Sequence, residues 1–208
     1  MIKIDVPGRG NMEIENILLD LNGTIATDGK IPLDVREKIN LLSEKVTIYI
    51  LTADTQGTAG EEVRGMNADM IKIAEEDSKN RKFDPSTASK PCSSEQGQGA
   101  LRVNLEQALR SRGSERSRKV EFLKTFDLEK TVAIGNGNND QLILKKVALG
   151  IAVLGDEGLS VSAMKNADIV VKNISDALDL FLKPKRLMAT ERMKQNQNRE
   201  CWNNGKME

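Results

Sequence analysis

From Ile17 onward the chain alternates short apolar bursts with stretches whose apolar residues recur every three to four positions, and no other feature restricts its fold as much. The bursts fall at residues 17–19, 46–51, 69–73, 131–134, 149–153 and 168–171. Bursts of strand length with no polar alternation predict strands buried on both faces. Between and after them, residues 32–44, 55–66, 114–126, 141–147, 159–165, 174–182 and 184–193 carry helical spacing, as with Val35, Ile39 and Leu42. Pro32 suits a first helical turn. Strand–helix alternation closes into right-handed βαβ units, so the expected fold is α/β: a Rossmann-like, mostly parallel sheet with helices on both faces. Ahead of it, residues 2–6, 7–10 and 12–15 read as strand, turn and strand.

Composition narrows the chemistry. Lys plus Arg equals Asp plus Glu at 31 each, so no net field points at nucleic acid or an acidic membrane surface. Aromatic residues are only 3% of the chain, which predicts an aliphatic core and argues against recognition by base stacking. No apolar run reaches bilayer-spanning length, and the N-terminus lacks a signal-peptide layout, so a cytoplasmic protein with no membrane partner is expected. Cys92 and Cys201 lie far apart in polar sequence and read as reduced, exposed thiols. The absence of histidine excludes a zinc site and a Ser–His or Cys–His nucleophile pair.

Residues 75–99 lose all periodicity and are rich in Ser, Lys, Glu, Gln and Pro, the composition of a flexible insertion. Residues 100–112 recover helical spacing through Leu101, Leu105 and Leu109, with Gly113 as the stop. Residues 1–192 therefore read as one domain with an insertion and no large cap domain, and 193–208 as a polar, frayed tail. Arg102, Arg110, Arg112, Arg116 and Arg118 interleave with Glu106 and Glu115 and read as a solvated helical face rather than a nucleic-acid surface.

In a parallel sheet ligands bind beyond the carboxyl ends of the strands, at the switch point of the topology. Four features fall at such ends or close to them. Asp20-Leu-Asn-Gly-Thr24 follows the first burst; by itself it also fits an aspartate that caps a turn. Thr52 ends the next strand, where its hydroxyl and the backbone around Ala53 can hold an anion; Asp54 suits a helix cap. Lys119 lies on a helix leading into the following strand, and alone it would read as a solvated lysine. Gly135-Asn-Gly-Asn-Asn-Asp140 offers carboxylate, amide and carbonyl oxygens on a tight turn, the donor types that magnesium takes.

In that order these four segments resemble the motifs of the haloacid-dehalogenase-like (HAD) superfamily, and most closely its soluble proteins similar to the phosphorylation domain of P-type ATPases. The resemblance covers residues 14 to about 192 apart from the insertion. It implies a HAD fold and a phosphatase or phosphoanhydride hydrolase in which Asp20 attacks phosphorus and becomes an aspartyl-phosphate. It further implies that Thr52, Ala53 and Lys119 bind the phosphoryl group. Mg²⁺ would be held by Asp20, the backbone carbonyl of Asn22 and Asn136, with Asp140 beside it. The implied partner is a small phosphorylated substrate, and a homo-oligomer is compatible with the sequence.

The chain departs from the pattern twice. Asn22 stands where phosphatases of the superfamily carry a second Asp as general acid and base, a group worth about 10²–10⁴-fold. Its amide cannot protonate an alkoxide, so anhydrides, acyl phosphates or aryl phosphates suit the site better than sugar phosphates. Asn136 replaces an Asp metal ligand and removes a negative charge, which predicts weaker magnesium binding. Both departures also fit a rival reading, a degenerate domain with a phosphate-binding, regulatory or assembly role.

Overall fold

The structure is a computed structural model that describes residues 1–8, 10–53, 59–73 and 115–191. The insertion expected at residues 75–99, the helix at 100–112, both cysteines, Asp54 and the tail from 193 all lie outside the described residues.

A hairpin of β1 (Ile2–Val6) and β2 (Gly10–Ile14) opens the chain, paired antiparallel with Ile2 opposite Ile14. Then come β3 (Asn16–Asp20), α1 (Leu33–Ser43), β4 (Thr47–Thr52), α2 (Ala59–Glu62) and β5 (Asp69–Lys72). After the undescribed segment follow α3 (Glu115–Leu123), a 3₁₀ turn (Leu128–Lys130), β6 (Thr131–Gly135), α4 (Gln141–Lys146) and β7 (Leu149–Val153). The last described elements are α5 (Val161–Asn166), β8 (Ile169–Val171), α6 (Ile174–Leu182) and α7 (Pro184–Thr190).

Strands β3 to β8 form one six-stranded sheet in the order β5-β4-β3-β6-β7-β8, every neighbouring pair parallel. The chain starts at the centre with β3, builds outward through β4 and β5, then returns to the other side of β3 with β6. That reversal is the switch point, and it puts the ends of β3 and β6 side by side. Alternate residues feed opposite faces: Ile17, Leu19, Ile48, Ile50, Val132 and Ile134 enter one apolar cluster. Leu18, Tyr49, Leu51 and Ala133 enter the other. The expected α/β, Rossmann-like architecture is the one observed.

The core is largely aliphatic, yet three of the few aromatic residues stack together. Phe126 meets Tyr49 at 5.0 Å and Phe122 at 4.9 Å, both edge-on, and these contacts fix the lower end of α3 against β4. On the opposite face Asp179 of α6 binds Lys38 of α1 at 2.9 Å and Lys183 and Arg186 at 2.7 and 2.9 Å. Hydrogen bonds from Lys183 and Lys38 hold its carboxyl down at about 2.

Several helices are shorter than their periodicity suggests. Within residues 59–66 the helix stops at Glu62, because Gly65 takes a φ of +81° and Arg64 and Met66 bond three residues back instead of four. α3 ends at Leu123 and passes through three successive i→i−3 turns to Phe126. α5 starts at Val161, capped by Ser160, and α7 stops at Thr190. No described helix is long and apolar enough to cross a membrane.

Candidate active site

Asp20 is the last residue of β3, where an otherwise apolar strand brings a carboxylate to the switch point with 6% of its surface exposed. The chain turns sharply after it. Leu21 bonds Leu51 of β4 through its N–H, Ile25 and Ala26 bond back to Leu21, and Gly23 bonds Ala26. Gly23 adopts a φ of +73°, and a Cβ there would lie 2.5 Å from Nδ2 of Asn136. The loop ends in a two-residue turn at Asp28 and Gly29, with φ of 51° and 75°, closed by paired bonds between Thr27 and Lys30. Glu157 accepts the Asp28 N–H at 3.0 Å and ties this tip to the loop after β7.

Lys119, fully buried on α3, extends its Nζ to 2.6 Å from Oδ1 of Asp20 and 2.6 Å from Oδ1 of Asp140. Burial alone would lower its pKa, but the Asp20 and Asp140 carboxylates outweigh that and raise it, so it stays protonated throughout the working range. Asp140 has no exposed surface, and its Oδ2 accepts the Gly137 N–H at 2.9 Å. This packing leaves no room for a side chain at 135: a Cβ there would be 2.6 Å from the Asp140 carboxyl carbon.

The Thr24 hydroxyl lies 3.3 Å from Oδ2 of Asp20 and 3.2 Å from Oδ1 of Asn136. One hydroxyl proton thus faces two acceptor oxygens, which draws them together at the switch point. Asn136 is held from its other side as well: its Nδ2 donates to the Gly158 carbonyl at 3.1 Å, and its own carbonyl accepts the Ser160 N–H at 2.9 Å. An aspartate at 136 would turn a carboxylate oxygen toward that carbonyl, so the backbone here is built for an amide. Thr52 ends β4 with 1% exposure, one residue past Leu51, the register partner of Asp20. Ala53 follows it, and Asn22 is exposed on the rim.

The structure therefore brings Asp20, Lys119, Asp140 and Asn136 into one cluster, with Thr52 on the adjoining strand end. Two carboxylates and one amide oxygen are hard donors, few in number, and fit magnesium, which keeps water and phosphate oxygens for its remaining positions. Among the described residues no group of three Asp, Glu, Cys or His converges.

Sequence reasoning missed four participants. Thr24 was visible within the Asp20 segment, but nothing there showed its link to Asn136. Gly158 and Ser160 act through backbone groups, and Glu157 sits in a loop without periodicity, so none carried a sequence signal. One reading is corrected: Arg118 does not belong to a solvated face but is buried, 5% exposed. It lies on the inner side of a short helix whose charged neighbours masked it.

We expect Gly23→Ala to destabilise the protein by about 2–4 kcal/mol, from the left-handed backbone and the contact with Asn136. Asn136 is pinned at both ends and cannot retreat. Chemical denaturation gives the difference, and a change under 1 kcal/mol would contradict the close approach.

No family model matches the chain. Among solved structures it is similar to 3-deoxy-D-manno-octulosonate 8-phosphate phosphatase from Moraxella catarrhalis, a structure that contains magnesium and phosphate ions. The identity is 14%, over 85% of this chain and 92% of that one, with a TM-score of 0.52. BT1666 from Bacteroides thetaiotaomicron, analysed among phosphatases of the HAD superfamily, is 15% identical over 86% of this chain and 96% of its own, with a TM-score of 0.52. A Legionella pneumophila protein assigned to HAD hydrolase subfamily III A is 14% identical over 86% and 87% of the two chains, with a TM-score of 0.53. At these identities the likeness is one of fold.

Two relatives are close in sequence, both from Methanocaldococcus jannaschii. Uncharacterized protein MJ0073 is 51% identical over 84 residues, 38% of this chain and 90% of the relative. Uncharacterized protein MJ0072 is 67% identical over 39 residues, 19% of this chain and 89% of the relative. The chain belongs to the family of MJ0073, and it carries the HAD fold.

Proposed function

We propose that the protein is a magnesium-dependent phosphatase or phosphoanhydride hydrolase that works through an aspartyl-phosphate on Asp20. The observation that carries the reading is the Lys119 bridge at 2.6 Å to both Asp20 and Asp140, buried at the switch point of a HAD fold. A lysine without solvent exposure, held between two carboxylates, is a costly arrangement for stability alone, and such sites are candidates for function.

In this mechanism a carboxylate oxygen of Asp20 forms a bond to phosphorus while the bond to the leaving oxygen breaks, its electron pair departing with that oxygen. Lys119 pairs with Asp20 at 2.6 Å and offsets charge on the transferring group. The Thr52 hydroxyl and the Ala53 backbone hold phosphoryl oxygens. Asp20, Asn136, the Asn22 carbonyl and Asp140 would hold Mg²⁺, which supplies charge neutralisation for the phosphoryl group. Water then attacks the phosphorus of the aspartyl-phosphate, releasing phosphate and regenerating Asp20.

Asn22 cannot take the proton from that water, so the second step should limit turnover. We expect a burst of released aryl oxide followed by a slow steady state, and faster steady-state turnover in Asn22→Asp, on the order of 10²-fold. Quench-flow with a chromogenic aryl phosphate and Mg²⁺ measures both. Trapping beryllofluoride with Mg²⁺ separates this reading from a degenerate binding or regulatory domain, since the adduct forms on a competent Asp20. A parent that neither traps the fluoride nor shows a burst would favour the degenerate domain.

A further inference from the structure

Arg118 sits one residue before Lys119 in α3, and 5% of it is exposed. Neither its Nε nor its Nη1 has a hydrogen-bond partner among the described residues. A guanidinium carries five donors and keeps its charge at any accessible pH. Removing one from water without a counter-charge is strongly unfavourable, and an unsatisfied buried group of this kind calls for an ion or ligand to explain it.

Its position says which ligand. The first half of α3 lies at the sheet edge that carries Asp20, because Lys119 reaches Asp20 and Asp140 from there. Residues four apart share a helix face. Phe122, one turn after Arg118, meets Tyr49 of β4 edge-on with ring centroids 6.1 Å apart. Phe122 also shares an apolar cluster with Leu51, Ile71 and Ile73. Arg118 therefore shares the face of α3 that Phe122 turns toward β4, one turn nearer the end of the helix from which Lys119 reaches Asp20.

We propose that Arg118 binds a second anionic group of the substrate, and that the substrate is a phosphoanhydride whose leaving group is itself a phosphate. This rests on the reading of Asp20 as nucleophile. As an Asp20 oxygen bonds to the transferred phosphorus, the bridging P–O bond breaks and its electron pair leaves on the second phosphate, which Arg118 holds. That group needs no proton, in keeping with the amide at Asn22.

Calorimetric titration of the full chain in Mg²⁺ with orthophosphate and with methylenediphosphonate, a non-hydrolysable two-phosphate probe, tests the idea. The diphosphonate should bind the parent about 10–100-fold more tightly than orthophosphate, as one further charge-assisted hydrogen bond would give. Arg118→Met should erase that preference while leaving orthophosphate affinity within about threefold. Without ligand, Arg118→Met should melt about 2–6 °C above the parent, since an unpaired buried cation has gone. Arg118→Lys, which keeps the charge but not the fork, should retain part of the preference and guards against a Met variant that fails to fold. Equal affinities in the parent, a preference that survives Arg118→Met, or a ligand-free melting temperature several degrees below the parent would each overturn the proposal. If orthophosphate fails to bind the parent, the Asp20 reading falls by itself. Arg118-dependent diphosphonate binding would then still uphold an anion site, and no diphosphonate binding would overturn it.

Discussion

Asp20→Asn should abolish phosphate-ester turnover, with a loss on the order of 10⁴-fold or more, while leaving the fold cooperative. The substitution keeps the shape of the side chain but removes the oxygen charge that attacks phosphorus. Its amide oxygen can still accept from Lys119, which also keeps its contact with Asp140 at 2.6 Å. Stability should therefore change much less than activity. Single-turnover assays with an aryl phosphate, alongside thermal melting, make the comparison. Turnover within tenfold of the parent would remove Asp20 from the mechanism.

The second large effect is expected at Lys119, where catalysis and stability should fail together. Lys119→Met leaves the buried carboxylates of Asp20 and Asp140 facing each other with nothing between them, their Oδ1 atoms no further apart than twice 2.6 Å. Breaking a buried pair from one side costs about 3–5 kcal/mol, which lowers the melting temperature by about 6–20 °C in a chain of this size. Activity should fall by about 10²–10³-fold, the scale for losing one charge stabiliser. The surface pair of Lys124 with Glu121 at 2.7 Å serves as the control, since exposed pairs contribute about 0–1 kcal/mol.

The pH dependence adds a sign to this prediction. The folded protein raises the Lys119 pKa above its unfolded value of about 10.4. Its contribution is therefore fully present below that value and is lost only as pH rises through the folded one. The parent should show no Lys119-linked loss between about pH 5 and 9. Unfolding free energies of the parent and of Lys119→Met, measured across that range, check this. A loss of parent stability between about pH 5 and 9 that Lys119→Met lacks would contradict the raised Lys119 pKa.

Sequence alone was strongest where the physics is local. Residues 17–20 announce a buried strand with a carboxylate at its end, and β3, β4, β6 and β7 all appeared within a residue or two of their apolar bursts. Lys119 was different. Its neighbours Glu115, Arg116, Arg118 and Glu121 give α3 the look of a solvated helix, and only the resemblance to a known family singled it out. Arg118 was misread for the same reason, because charge composition says nothing about which side of a helix faces the sheet. Asp179 divides the same way. Lys183 and Arg186 follow it at helical intervals, but Lys38 comes from the other end of the chain and only the packing of α1 on α6 brings it near.

Asn136 carries a consequence for anyone who would redesign this centre. Its amide is read on one side by Thr24 and on the other by the Gly158 carbonyl, so the identity of the residue is stipulated by a loop 22 positions downstream. Reverting it to aspartate alone would set a like-charged oxygen against a fixed carbonyl dipole, and the extra metal charge so gained would be spent on distorting the loop. The order of operations is therefore set: residues 154–160 must first be rebuilt to offer a donor in place of Gly158, and only then does a carboxylate at 136 become a useful ligand.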